Sequence, residues 1–167
     1  MKAFKLRHAM MACAAVSIGM AAAPANAELL THKDLTASIA IEIAQTAIAT
    51  CKTNGYAVSV TVVGRAGEII LQVRGDNTGP HTMENSLKKA YTARTFARSS
   101  GEFANGVKGN PNAGALFLTN ITPAQGALPI KIGNDTIGAV GVSGAPGGEK
   151  DEACAKAGID KVAADLK

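Results

Sequence analysis

The sequence is poor in the residues that usually announce a chemistry. Among its 167 residues are three histidines, three cysteines and no tryptophan. Beyond the first 27 residues only His32 and His81 remain, too far apart in sequence for metal-ligand spacing, which argues against a structural zinc site. There is no H-E-x-x-H, C-x-x-C or G-x-S-x-G pattern and no Walker lysine loop, so the most readily recognised catalytic sets are absent. Aromatics make up only 4% of the chain, and no basic cluster is interleaved with them, which argues against nucleic acid as a partner. Past residue 27 no apolar run is long enough to span a membrane. The chain also has no internal repeat, linker or second domain.

What is present begins with an address. Lys2, Lys5 and Arg7 form a basic stretch, Ala9 to Ala23 is apolar and small, and Ala25-Asn26-Ala27 is an A-x-A cleavage site. Residues 1–27 are therefore expected to be a cleaved signal peptide, with a single domain over residues 28–167 and a periplasmic or secreted destination. Met11-Ala12-Cys13 superficially resembles a lipoprotein site, but the segments before Cys13 are too short for one. Three of the 17 basic residues belong to this leader and all 13 acidic ones follow it, so the mature net charge falls to +1. The remaining length can bury roughly two-thirds of its unfolded surface without help from cross-links.

The order of elements reads as α, two strands, α, two or three strands, α. Leu35, Ile39, Ile43, Ala47 and Cys51 recur every four residues in a helix over 31–54, which Gly55 stops. Tyr56–Val63 and Glu68–Arg74 read as strands around the turn Gly64-Arg65-Ala66-Gly67. Thr82–Ser99 is a second helix, with Thr82 as a natural N-cap. Ser100–Ala113 reads as a short helix and loop. Phe117–Ile121 is open between a short strand and a helical turn. Leu128–Ile132 and Thr136–Val142 flank a hairpin signal at Gly133-Asn134-Asp135. Glu149–Leu166 is the last helix. Tight hairpins imply an antiparallel sheet covered by two or more helices. Cys51 falls near the end of the first helix and Cys154 near the start of the last. If those helices pack antiparallel the sulfurs meet, and a Cys51–Cys154 disulfide is the expectation, with two buried thiols as the alternative.

Few residues are candidates for chemistry. His81, in Gly79-Pro80-His81-Thr82, is presented where a loop enters the cationic helix. It could ligate haem iron or be a solvated loop residue. His32 could be a second ligand or nothing. Lys88, Lys89, Arg94 and Arg98 could pair the propionates of a tetrapyrrole or the carboxylates of a small acid, or form a solvated basic face. Lys88, Tyr91 and Arg94 are spaced by three and can share a helix face. The glycine loop Val142–Gly148 opens a helix whose free amides could hold an anion. Glu149, Asp151 and Glu152 favour that positive helix end themselves, so the structural reading is preferred.

Three segments resemble the GlcG/HbpS family, a small haem-binding domain also seen at the C-terminus of PduO-type proteins. They are Val58–Gly67 (within SVTVVGRAGEII), Arg74–Arg98 (RGDNTGPHTMENSLKKAYTARTFAR) and IGAVGVSGAPGGEKDEACAKAG, which is similar to the family ending G-x-x-G-V-S-G…DE…A-x-A-G. The resemblance implies an α+β, profilin-like fold with a five-stranded antiparallel sheet flanked by helices on both sides. It further implies assembly into homo-oligomers and haem as cofactor, with roles in haem sensing, storage or transport. On that reading His81 is the axial ligand, Thr82 is adjacent, and Lys88, Tyr91 and Arg94 line the site; His32 is the alternative ligand. Two other functions stay open: an enzyme degrading haem or acting on a small carboxylate or corrinoid, and an oligomeric interaction module without a ligand. The balance leans away from catalysis.

Overall fold

Thr36 starts the first helix by accepting the backbone N–H of Ile39 on its hydroxyl, and Gly55, at φ +82°, lets the chain leave it. In the computed structural model, which describes residues 28–167, this helix is α1, Ala37–Thr53. The signal peptide expected over 1–27 lies outside the described residues. Strands β1 (Ser59–Val63) and β2 (Ile69–Val73) follow, then α2 (Thr82–Phe96) and α3 (Ser100–Val107). Strands β3 (Ala127–Ile132) and β4 (Asp135–Ser143) lead into α4 (Gly148–Lys161). All of these lie within His32–Lys167, and residues 28–31 carry neither helix nor strand.

Among the described residues the sheet has four strands in the order β2-β1-β4-β3, all antiparallel, with four helices flanking it. This corrects the five-stranded, profilin-like sheet expected above. The segment that could have supplied another strand, Phe117–Ile121, follows a 3-10 turn at Gly114–Phe117 and takes no place in the sheet. Its backbone is spent locally: Leu118 N–H donates to the Ala115 carbonyl and Ile121 N–H to that of Leu118. Asn120, at φ +66°, breaks any extended run.

Alternation along the strands splits the sheet into two unlike faces. Val60, Val62, Val140 and Val142 face α1 and α4, where they meet Ile43, Ala47, Cys51 and Ala155 in the main apolar core. The other face meets α2 through Ser59, Thr61, Gly141 and Ser143. A Cβ added at Gly141 would stand 2.2 Å from the Ser86 carbonyl oxygen, so α2 sits on β4 at a distance only glycine allows. Hydroxyl pairs fill the rest of that seam: Ser59 with Thr82 at 2.8 Å and Thr61 with Ser86 at 2.8 Å. Every member is buried and bonded, so the polar face carries little desolvation cost.

Cys51 and Cys154 form the disulfide expected from the sequence, joining the end of α1 to the middle of α4 across 103 residues with their Cα atoms 5.6 Å apart. A cross-link closing a loop of this length restricts the unfolded chain by about 4–5 kcal/mol. Replacing both cysteines with alanine is expected to lower the free energy of unfolding in urea by most of that amount, with a lower midpoint and a slope no shallower, because the unfolded chain is released. An unchanged midpoint would show that the bond contributes nothing.

Candidate functional site

The loop before α2, the glycine loop after β4 and the end of α1 converge at one end of the sheet. Ser59 and Ser143, paired across β1 and β4, mark that end. Between the three segments lies a cleft of about 850 Å³. Asn77 to Thr82 form one wall, Gly55 to Ala57 a second, and Gly144 to Gly148 a third. Asn85, Lys89 and Asp151 also line it. The volume is in the range of cofactor pockets.

His81 is exposed at this cleft and occupies the position before the first turn of α2, where its side chain makes no capping hydrogen bond. Its ring folds over Gly79, whose added Cβ would come within 2.9 Å of Cε1. Thr82 is not the N-cap that the sequence suggested, because the helix already begins there. Its hydroxyl turns under the helix to donate to the Gly79 carbonyl at 2.8 Å and to meet Ser59, and the residue is buried. Thr82 thus fixes the loop that presents His81.

Lys89 corrects a second expectation. The sequence groups it with the solvated basic face, yet its side chain is 5% exposed and that of Asp151 3%. The Lys89 ammonium donates to Asp151 Oδ2 at 2.7 Å and to the Val142 carbonyl at 3.1 Å. Asp151 Oδ1 accepts the Ala145 N–H at 2.9 Å, which pins the glycine loop. Burial pushes the Asp151 carboxyl above its ordinary range, against the pull of Lys89 and the Ala145 amide. Gly126, at φ +135°, makes the space: a Cβ there would stand 2.7 Å from the Lys89 Nζ. The doublet Lys88-Lys89 hid this in the sequence, although helical spacing turns adjacent residues to different sides.

The other expected residues lie elsewhere. Lys88 is half-exposed and bridges Glu84, whose carboxyl it holds below the usual range. Tyr91 and Arg94 line a separate small pocket with Arg65 and Gly67, at the opposite end of β1. His32 lies 3.2 Å from Asp34, which also bonds Arg65. Sequence reasoning missed Tyr56, Asn85 and Ser143 as cleft residues. Asn85 Nδ2 donates to Ser143 Oγ at 3.0 Å, tying α2 to the β4 end of the cleft. The G-V-S-G segment contains Ser143, but the sequence reading of it as a family motif and a turn gives that side chain no role at a cleft. Among the described residues no group of three or more His, Cys, Asp or Glu side chains could hold a metal ion, and no helix is long and apolar enough to cross a membrane.

The sequence and fold are similar to those of known proteins. The sequence model of the family described as "Haem degrading protein HbpS-like" matches residues 35–160. The chain belongs to this family. HbpS from Streptomyces reticuli, in the form of a double mutant, is 31% identical in sequence, with a TM-score of 0.74 over 84% of this chain and 97% of that one. ORFY of Klebsiella pneumoniae is 27% identical, with a TM-score of 0.75 over 84% and 99%. An uncharacterised 15.0 kDa protein from the dhaT-dhaS intergenic region of Citrobacter freundii is 32% identical over 129 residues, 75% of this chain and 90% of that protein.

Removing one partner of a buried ion pair leaves an uncompensated charge, at a cost of about 3–5 kcal/mol. Lys89→Met is expected to destabilise the protein by that amount in urea unfolding. Lys89→Met with Asp151→Asn should recover most of it, because the amide oxygen still accepts the Ala145 N–H. A single variant within about 1 kcal/mol of wild type would show that the pair is not what holds this corner.

Proposed function

We propose that this chain is an exported haem-binding protein, acting in haem sensing, storage or transport, and that haem occupies the cleft at the N-terminus of α2. The observation that carries the reading is an accessible imidazole, His81, at the rim of a cofactor-sized cleft in a chain of the HbpS-like family. The lining fits the group. A haem needs an axial side-chain ligand such as an imidazole, apolar contact for the macrocycle and a mouth open to solvent for its propionates. His81 offers the nitrogen. Tyr56, Ala57, Ala145 and Pro146 offer apolar surface, and the glycine loop lets the walls approach closely.

When bound, haem supplies a redox-active iron. The residues of the chain hold and orient it. His81 would ligate the iron, Thr82 sets the loop that carries His81, and the Lys89–Asp151 pair keeps the opposite wall in place. Within one subunit Lys88, Tyr91 and Arg94 stand away from this cleft. Their assigned role at the propionates would require a second copy of the chain, consistent with a homo-oligomer. The family's description favours haem breakdown as a second reading. The cleft carries one buried carboxylate, already paired, which favours binding over acid–base chemistry.

Titration of the purified protein with haem is expected to give a saturable Soret shift, and His81→Ala to remove or displace it. Absence of any shift would overturn the binding proposal. An unchanged shift in His81→Ala would overturn the ligand. Loss of the Soret band with iron release, on adding a mild reductant, would replace storage or transport by degradation. For export, the mass of protein recovered from the periplasm or medium is expected to correspond to a chain beginning at Glu28. Recovery only in the cytoplasm with residues 1–27 attached would overturn that part.

A further inference from the structure

The later turns of α2 hold a guanidinium, that of Arg94, with no close ion-pair partner among the described residues. Arg65 and Arg94 flank a pocket of about 120 Å³, with Gly67, Tyr91 and Thr95 on its walls. Arg65 is nearly spent: its Nε donates to Asp34 Oδ1 at 3.2 Å, and Nη1 and Nη2 donate to the two Asp135 oxygens at 2.8 and 2.7 Å. Nη2 also donates to the Lys33 carbonyl at 2.7 Å. A guanidinium has five N–H donors, so one on Nη1 is left over.

Arg94 has no such partners. Among the described residues no carboxylate forms an ion pair with it, and its Nε is buried without a hydrogen bond. A buried donor left unpaired costs about 1–3 kcal/mol, so such groups are rare without a reason. The phenol of Tyr91 belongs to the same pocket, and its ring packs on Gly67, where an added Cβ would lie 2.6 Å from Cε2. That contact anchors the ring against the β1–β2 turn, which Gly67 makes at φ +82°. Asp135, whose carboxyl Arg65 and more weakly Arg94 hold below the usual range, bonds Arg65 and not Arg94.

We propose that this pocket binds a small oxyanion, either free phosphate or sulfate or the carboxylate end of a larger acid. Arg94 supplies the charge through its guanidinium, the spare Arg65 N–H and the Tyr91 hydroxyl supply further donors, and the fixed turn holds them together. Guanidinium and carboxylate or phosphate geometries match in this way, and each such bond is charge-assisted. The volume admits one oxyanion group and leaves any remainder of the ligand in solvent. From His81 to Arg94 is 13 residues of helix, or about 20 Å, so this site is separate from the cleft and does not rest on the haem proposal.

Isothermal titration with sodium phosphate, sulfate, acetate and succinate at constant ionic strength tests it. We expect saturable binding of one anion per chain, with Kd about 1 mM or tighter, for at least one of them. Phosphate or sulfate binding without acetate or succinate binding identifies a free inorganic anion; the reverse identifies a carboxylate end. Arg94→Gln is expected to weaken binding at least about tenfold with an unchanged far-UV spectrum, and Tyr91→Phe to weaken it less. His81→Ala is expected to leave it unchanged. If no anion binds saturably, or if Arg94→Gln and Tyr91→Phe both bind like wild type, the proposal fails. Loss of binding in His81→Ala would overturn it too, by moving the anion to the cleft.

Discussion

The Lys89–Asp151 pair joins parts of the fold that otherwise touch only through the sheet. Lys89 comes from α2, which covers the hydroxyl-rich face, and Asp151 from the first turn of α4, which covers the apolar one. They meet where β3 is beginning and β4 has just ended, with the Val142 carbonyl as a third partner. A buried pair is not by itself a source of stability, because desolvation can cancel its attraction. Here both ions are also satisfied by backbone groups, and what they secure is position. Asp151 holds the Ala145 amide, and Ala145 lies in the wall that faces His81.

The unlike faces of the sheet divide the work. Against α1 and α4 the valines, Ile43 and Ala155 give burial and dispersion, and the Cys51–Cys154 bond closes that layer next to the cleft. Against α2 the residues are small or hydroxylated, so the helix lies close and its rotation is fixed by directional bonds. Gln72 Nε2 adds to this by donating to both Thr61 Oγ1 and the Met83 carbonyl, at 2.8 and 2.9 Å. An apolar seam could slip by a fraction of a turn. A seam of paired hydroxyls loses several hydrogen bonds if it does, and His81 at the head of the helix inherits that precision.

The sequence revealed what local rules govern. The period of four in α1, the glycine at 55 and the turns at 64–67 and 133–135 follow from spacing and backbone preference, and all appear in the structure; the cysteine pairing rested also on how the first and last helices pack, and it appears too. Strand number did not follow. Phe117–Ile121 has an apolar stretch short enough for either conformation, and the local bonds of the 3-10 turn decided it. The candidate site was legible as two separate pieces. His81 and the glycine loop were each visible, but nothing in their spacing of some 60 residues shows that they share a cleft. The glycine loop was read as a turn and cap because its acids lie at a helix start; burial of one of them, Asp151, is a tertiary fact. Lys89 likewise differs from Lys88 only in which way the helix turns it.

That helix resolves the remaining tension in the sequence reading. His81, Lys88, Tyr91 and Arg94 invite assignment to one site because they lie on one short segment. A rigid helix separates its ends as firmly as it joins them: each residue adds about 1.5 Å along the axis. The head of α2 meets the glycine loop and the end of α1, while its later turns meet the β1–β2 turn with Arg65. Charges at the two ends are therefore screened from each other over more than a Debye length of about 8–10 Å. Each end answers to its own neighbours: an imidazole-bearing cleft closed by an internal ion pair at the head, and an incompletely paired guanidinium cluster further along. One sheet and one helix thus present two chemically different surfaces, and the hydroxyl seam between them keeps both in register.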